Sequence, residues 1–171
     1  SQQALLYDDK AIEDFNKTIS LNNTYASAYY YRAISKITLH NYDEAIEDLS
    51  SCIKLSPKAT DAYFHRAYAF SAVQNYRSAI IDYNKVLELS PSNINAYLNR
   101  ALCKAKINDT EGSELDIKRA HELDKDAVSA YYNSISAKLE NGHKNSGIID
   151  PNQGTEEYAK HRSLQAITLL G

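Results

Sequence analysis

Residues 60–93 are TDAYFHRAYAFSAVQNYRSAIIDYNKVLELSPSN, and the pattern of residue types in this segment recurs on both sides of it. The chain has AYYYRA, NYDEAIEDL and IKLSP 34 residues upstream, and AYLNRA, SELDIKRA and HEL 34 residues downstream. Each copy contains two amphipathic segments joined by a polar turn. A period of this length is typical of stacked helix–turn–helix units. We therefore expect an all-α repeat array whose function depends on a surface and not on a catalytic cluster.

Small residues recur where two helices of a unit must cross closely. Ala33, Ala67 and Ala101 follow the Ala-Tyr pair near the start of each first helix, and Ala45 and Ala79 lie in the second helices. A larger side chain at such a crossing would force the helices apart. These alanines therefore predict the contact lines inside each unit.

The last complete unit departs from the pattern of the other two. Gly112 lies within its second helix, where Gly costs about 1 kcal/mol relative to Ala, and Lys125 replaces the Pro that follows the earlier units. We expect this second helix to start late or to fray. The predicted segments are a partial repeat (second helix) at 1–25, repeats at 26–59 and 60–93, a degraded repeat at 94–127, the first helix of a broken repeat at 128–140, a linker at 141–155 and a C-terminal capping helix at 156–171. The alternative for this last helix is that it lies in the concave groove of its own array or of a neighbour.

The repeat unit resembles the tetratricopeptide repeat, in a Tyr-rich variant written AYxxRA…AIxD. The resemblance extends from about Lys10 to Glu140, with Tyr in place of the family's usual Trp and Arg where the family commonly has Leu. It implies a right-handed superhelix, a binding or scaffold role, no cofactor and no enzymatic activity. The residues that carry the resemblance in one unit are Tyr63, Ala67, Tyr76, Ala79, Tyr83, Val86 and Pro91.

Charged residues also repeat with the period of the array. In a helical hairpin, the Arg of each first helix comes to a height similar to that of the Asp of a second helix. We expect each Arg to pair with the Asp of its own unit or of the unit before, which would form a ladder of charge-assisted hydrogen bonds with a structural role. The ladder residues are Arg32, Arg66 and Arg100 with Asp14, Asp48, Asp82 and Asp116.

The first helices of such arrays line a concave groove, and one stripe of positions on each helix faces it. In this chain the stripe is rich in Tyr and Asn, which suits a mostly neutral peptide or helix of a partner protein. The alternative for any single residue is packing between neighbouring units. The predicted groove residues are Tyr30, Tyr31, Ile34, Phe64, His65, Tyr68, Asn95, Leu98, Asn99, Leu102, Tyr132 and Asn133.

One subclass of the family binds the C-terminal carboxylate of chaperones with basic residues in the groove. This chain has Asn95, Asn99, Ser129 and Asn133 at the positions where basic residues would be needed. Binding of a chaperone tail is therefore not expected.

Composition excludes several other classes of function. A net charge of −3 without a basic cluster argues against nucleic-acid binding. Neither a membrane-inserted segment nor a secretion signal is apparent, and two cysteines within helical patterns suit a reduced compartment, so we expect a cytoplasmic protein. Too few ligands cluster for a metal site.

An enzyme is disfavoured because the chain has no phosphate-binding Gly-rich loop, no H-E-x-x-H, no C-x-x-C and no G-x-S-x-G motif. The serious alternative to peptide binding is a structural scaffold or a self-associating module that uses the array ends or the C-terminal helix.

Overall fold

The computed structural model describes residues 2–142 and, within them, the side chains of residues 9–133. The described residues form α-helices joined by short turns and contain no strand. The predicted capping helix at 156–171 and all but the first two residues of the predicted linker lie outside them. The helices are α1 Gln2–Leu21, α2 Ala26–Thr38, α3 Tyr42–Leu55, α4 Thr60–Ala72, α5 Tyr76–Leu89, α6 Ile94–Lys106, α7 Thr110–Leu123 and α8 Lys125–Gly142.

The helices stack in chain order. Each helix packs against the next one, and α2, α4, α6 and α8 also contact one another in succession. Among the described residues, α1, α3, α5 and α7 make no such contacts with each other. The first helices of the units are therefore closer together and form the inner, concave side of the array, while the second helices form the outer side.

Helices α2, α4 and α6 each end in the same left-handed turn. His40, Gln74 and Asn108 have φ angles of 62°, 61° and 63° at equivalent positions. The following residue then donates its backbone N–H across the turn, as Asn41 does to Lys36 O and Asn75 to Phe70 O, each at 2.8 Å. Six-residue closures of this kind satisfy the last carbonyls of a helix. The repeated turn gives each hairpin the same reversal.

The core consists of small residues at the helix crossings and larger ones beside them. The predicted contact residues Ala33, Ala45, Ala67 and Ala79 are fully buried. Tyr83 is 1% exposed and fills the space between α4, α5 and the next unit. Close packing of this sort holds neighbouring units in a single register.

The prediction that the second helix of the third unit starts late is wrong. Helix α7 begins at Thr110 and has 14 residues, as α3 and α5 do. The Asp109 side chain accepts a hydrogen bond from the Gly112 N–H at 2.9 Å and caps the helix. Gly112 permits this approach, since a Cβ there would lie 2.3 Å from Asp109 Oδ2. The cap therefore offsets the low helix propensity of Gly.

Helix α8 differs at both ends from the predicted segment 128–140. It begins at Lys125, because Asp124 Oδ1 accepts the N–H groups of Asp126 and Ala127 at 2.9 Å each and forms an early cap. It also continues through Gly142, which the sequence placed in the linker.

Candidate functional site

The repeated arginines connect neighbouring units beneath the inner face. Arg66 Nε and Nη2 donate to the two carboxylate oxygens of Asp82 at 2.7 and 2.8 Å, and Arg66 Nη1 donates to Ser50 of the preceding unit at 3.0 Å. Arg32 makes the same contacts with Asp48 and Asn16, and Arg100 makes them with Asp116 and Asn84.

Each Arg thus pairs with the Asp of its own unit. In the preceding unit it hydrogen-bonds an Asn or a Ser and not the Asp. Asp14 is exposed, and Arg32 contacts Asn16 in its place. The guanidinium of Arg66 also lies over the Tyr63 ring, 5.7 Å from its centroid. Its hydrogen bond to Asp82 is the main reason that the pKa of Arg66 is raised.

A row of aromatic rings runs along the inner face from α2 to α5. The Tyr30 ring lies 5.2 Å from that of Tyr31 and 5.6 Å from that of His65, edge to face in both cases. Phe64 continues the row, 5.7 Å from His65 and 5.6 Å from the buried Tyr83. Contacts of this type fix ring orientation. The inner face at α2 and α4 therefore carries aromatic rings that pack on one another and on the core.

The predicted groove residues differ in how much they offer to a ligand. Tyr31 is 54% exposed and Tyr68 is 44% exposed, which is high for side chains of this size in a well-packed array. Asn95 and Asn133 are exposed as well. The half-buried members are Tyr30, Ile34, Phe64, His65, Asn99, Leu102 and Tyr132.

Leu98 does not belong to the groove. It is only 2% exposed and packs with Ala120 and Val128 in the core of the third unit. Its equivalents in the other units are the larger rings Tyr30 and Phe64, which extend to the surface. The shorter Leu side chain is covered instead by Ala120 of α7 and Val128 of α8.

A cavity of about 330 Å³ opens between the N-terminal ends of α2 and α4 and the C-terminal end of α3. Its lining includes the two predicted residues Tyr30 and Tyr31. It also includes residues at the end of a second helix, which the sequence-based assignment to first helices missed. Only four residues separate α3 from α4. This short connection indicated that the end of α3 lies beside the start of α4. The full lining is Ala26, Ser27, Tyr30, Tyr31, Cys52, Ser56, Ala59, Thr60, Asp61 and Ala62.

Hydrogen bonds orient the polar groups near this cavity. His65 Nδ1 donates to the Asp61 carbonyl oxygen at 2.8 Å, and the Tyr30 hydroxyl lies 3.4 Å from the same nitrogen. Burial, followed by the charge of Asp61, raises the pKa of Tyr30. Further along the face, the Tyr131 hydroxyl donates to Asn99 Oδ1 at 3.0 Å, which uses the oxygen of that amide and not its NH₂ group.

The part of the chain that the structure describes contains no group of three or more potential metal ligands. None of its helices combines the length and apolar character that a membrane crossing requires. Cys52 and Cys103 are buried free thiols, and burial raises the pKa of each.

The tetratricopeptide-repeat family model matches residues 26–58 and 60–93, the two most regular units. Residues 26–58 and 60–93 are tetratricopeptide repeats. Among curated proteins, no sequence matches this chain significantly. Its tetratricopeptide units account for the stacked hairpins, the buried alanines and the inner face of first helices.

Solved structures share this fold. A crystal structure of MamA protein aligns with a TM-score of 0.67 at 21% identity, and the alignment covers 84% of this chain and 70% of the MamA chain. MamA from Desulfovibrio magneticus RS-1, residue 41 to the end, has a TM-score of 0.67 at 18% identity, covering 71% and 69%. The Arabidopsis OM64 TPR domain has a TM-score of 0.57 at 20% identity, covering 58% and 83%. At these identities the likeness establishes the fold alone, a tetratricopeptide superhelix.

Proposed function

We propose that this array is a non-enzymatic interaction module that binds a peptide or short helix of a partner protein along its inner face. The observation that carries the proposal is the exposure of two tyrosines, Tyr31 at 54% and Tyr68 at 44%, on neighbouring first helices. Tyr is enriched at protein interfaces because it provides a large contact area with few rotamers to lose.

The surroundings of the two tyrosines support this role. Tyr31 lies against Tyr30 and Phe15, with ring centroids 5.2 and 6.2 Å away, and Tyr68 lies 6.4 Å from Tyr42. Each exposed ring is therefore held in place before a ligand arrives. A preorganised surface loses less entropy on binding than a mobile one.

Polar groups further along the face complement the aromatic part. The exposed amides of Asn95 and Asn133 each provide a donor and an acceptor. An extended peptide presents both kinds of group along its backbone. The tyrosines would then supply contact area and the amides would align the bound segment.

Selection from a displayed library of random peptides, followed by calorimetry with a synthetic copy of the best peptide, tests this proposal. We expect Tyr31→Ser and Tyr68→Ser each to weaken binding about tenfold, as loss of a central aromatic contact does. The matched control is Ile81→Ser on the outer helix α5, where the side chain is 66% exposed. Thermal melts of all variants must agree, so that loss of binding reports the surface and not unfolding. Unchanged affinity in both Tyr variants would place recognition elsewhere.

A further inference from the structure

The cavity between α2, α3 and α4 differs from the rest of the inner face in its charge. Asp61 is the one residue with a formal charge among its lining residues, and it is exposed. Among the described side chains, Asp61 forms no ion pair within 4 Å, whereas Asp48, Asp82 and Asp116 each pair with Arg. Its carboxylate is therefore available to a ligand.

The α2 side of the cavity is aromatic. Tyr30 and Tyr31 stand edge to face at 5.2 Å, and Tyr31 stacks on Phe15 at 6.2 Å with an interplanar angle of 18°. Phenol rings attract cations to their faces, and a guanidinium group also stacks on them. A carboxylate in the same cavity as two such rings favours a cation with a flat head group or an apolar stem.

The partial charges of the helix ends around the cavity do not reverse its preference for a cation. The N-terminus of α2 and the C-terminus of α3 both border it, and their partial charges of about half an elementary charge, of opposite sign, offset one another. The full charge of Asp61 exceeds the remaining partial charge at the N-terminus of α4, whose first turn it occupies. The electrostatic balance of the cavity is therefore negative.

The size of the cavity suits a side chain. Its volume of about 330 Å³ lies at the lower end of the range of about 300–1,000 Å³ for ligand pockets. Its lining includes the exposed Tyr31, so a peptide that contacts this ring could insert one side chain while its backbone remains outside.

We infer that this cavity binds a basic side chain of the partner peptide, arginine in preference to lysine. The inference rests on the proposed function and adds the chemistry of the ligand to it. Arginine is preferred because its planar group can stack on tyrosine and donate two parallel hydrogen bonds to the Asp61 carboxylate. An acidic peptide end would meet the charge of Asp61 and is excluded from this position.

The sequences of the selected peptides give the first test. We expect a basic residue, mostly Arg, at one constant position in the peptides that bind. In a synthetic copy, replacing this Arg by Lys should weaken binding less than replacing it by citrulline, which keeps the shape and removes the charge.

A change in the protein gives the second test. Asp61→Asn should weaken the Arg peptide about fivefold, the upper range for an exposed ion pair, and should leave the citrulline peptide unchanged. The matched control is Asp43→Asn, which alters another exposed Asp in the first turn of a helix, α3 on the outer side.

The outcomes separate this inference from the proposed function. Peptides that lose affinity with Tyr31→Ser but show no preference for basic residues, or equal binding of Arg and citrulline peptides, would refute the inference and leave the proposed function intact. Enrichment of acidic peptides would refute it as well. Failure to select any peptide that depends on the inner face would count against both.

Discussion

Asp82 of the second complete unit has Arg66 as its one cationic partner among the described residues, although its side chain is only 4% exposed. In the units on either side, a lysine joins the arginine: Lys36 lies 3.0 Å from Asp48, and Lys104 lies 2.9 Å from Asp116. Phe70 occupies the equivalent position in the second unit and packs on the Arg66 guanidinium. The ladder is therefore least redundant at its centre.

We expect Arg66→Leu to lower the free energy of unfolding by about 3–5 kcal/mol, because it leaves a buried carboxylate unpaired. Arg100→Leu should cost less, since Lys104 still neutralises Asp116. Urea denaturation followed by circular dichroism measures both. We also expect Arg66→Leu to keep the fold while altering the cooperativity of the transition.

Two second-site changes check the cause. Phe70→Lys in the Arg66→Leu background should recover part of the lost stability by placing a lysine where Lys36 and Lys104 stand. Asp82→Leu should do the same by removing the unpaired charge. Unaltered melting and unaltered peptide binding in Arg66→Leu itself would show that the ladder has no structural role.

Leu98 is a core residue, so its truncation should act on stability. Leu98→Ala should lower the free energy of unfolding by about 2–5 kcal/mol, as loss of a buried Leu side chain does. The control Leu115→Ala, at a position 64% exposed, should change it by less than about 0.5 kcal/mol. A Leu98→Ala variant that keeps its stability and loses only peptide binding would show that Leu98 is a groove residue and not a core residue.

The Asp109 cap explains why α7 begins at Thr110, at the same position in its unit as α3 and α5. Asp109→Ala should cost about 1 kcal/mol, since the cap donor of Gly112 loses its acceptor. Asn41 occupies the equivalent N-cap position of α3 but makes no side-chain cap hydrogen bond, so Asn41→Ala should cost less. Denaturation curves compare the two variants, and hydrogen exchange at residues 110–113 localises the effect. Equal losses of stability in the two variants would mean that the Asp109 cap does not set the start of α7.

Stability should fall in alkaline solution. Burial raises the pKa of Tyr132 to about 12, whereas the pKa of a phenol in the unfolded chain is about 10. Between these values the unfolded chain loses the proton and the folded chain retains it, so rising pH favours unfolding. This contribution to stability is fully present below about pH 10.

The free energy of unfolding, measured from pH 9 to pH 12, should therefore decline less steeply in Tyr132→Phe than in the wild type. Absorbance of phenolate in the folded protein should show the corresponding delayed titration. Identical slopes for the two proteins would contradict burial of this hydroxyl.

Local sequence predicted the helices well and their ends less well. The apolar period and the prolines indicated where α2 to α6 lie, because those signals act within one helix. The start of α7 depended on the Asp109 side chain, which accepts the Gly112 N–H, a contact that average helix propensity does not include. The early start of α8 depended likewise on one capping residue, Asp124.

By itself the sequence determined the 34-residue period, the order of helices and the faces on which Arg, Asp and Tyr lie. These follow from the chain's own helical geometry, in which spacing along the sequence sets direction around the axis. Only the tertiary structure decided that each Arg takes the Asp of its own unit, that Leu98 is covered, and that the end of α3 completes a cavity with Tyr31 and Asp61. Those outcomes depend on distances and rotations between helices, which are set by how side chains of different units pack together.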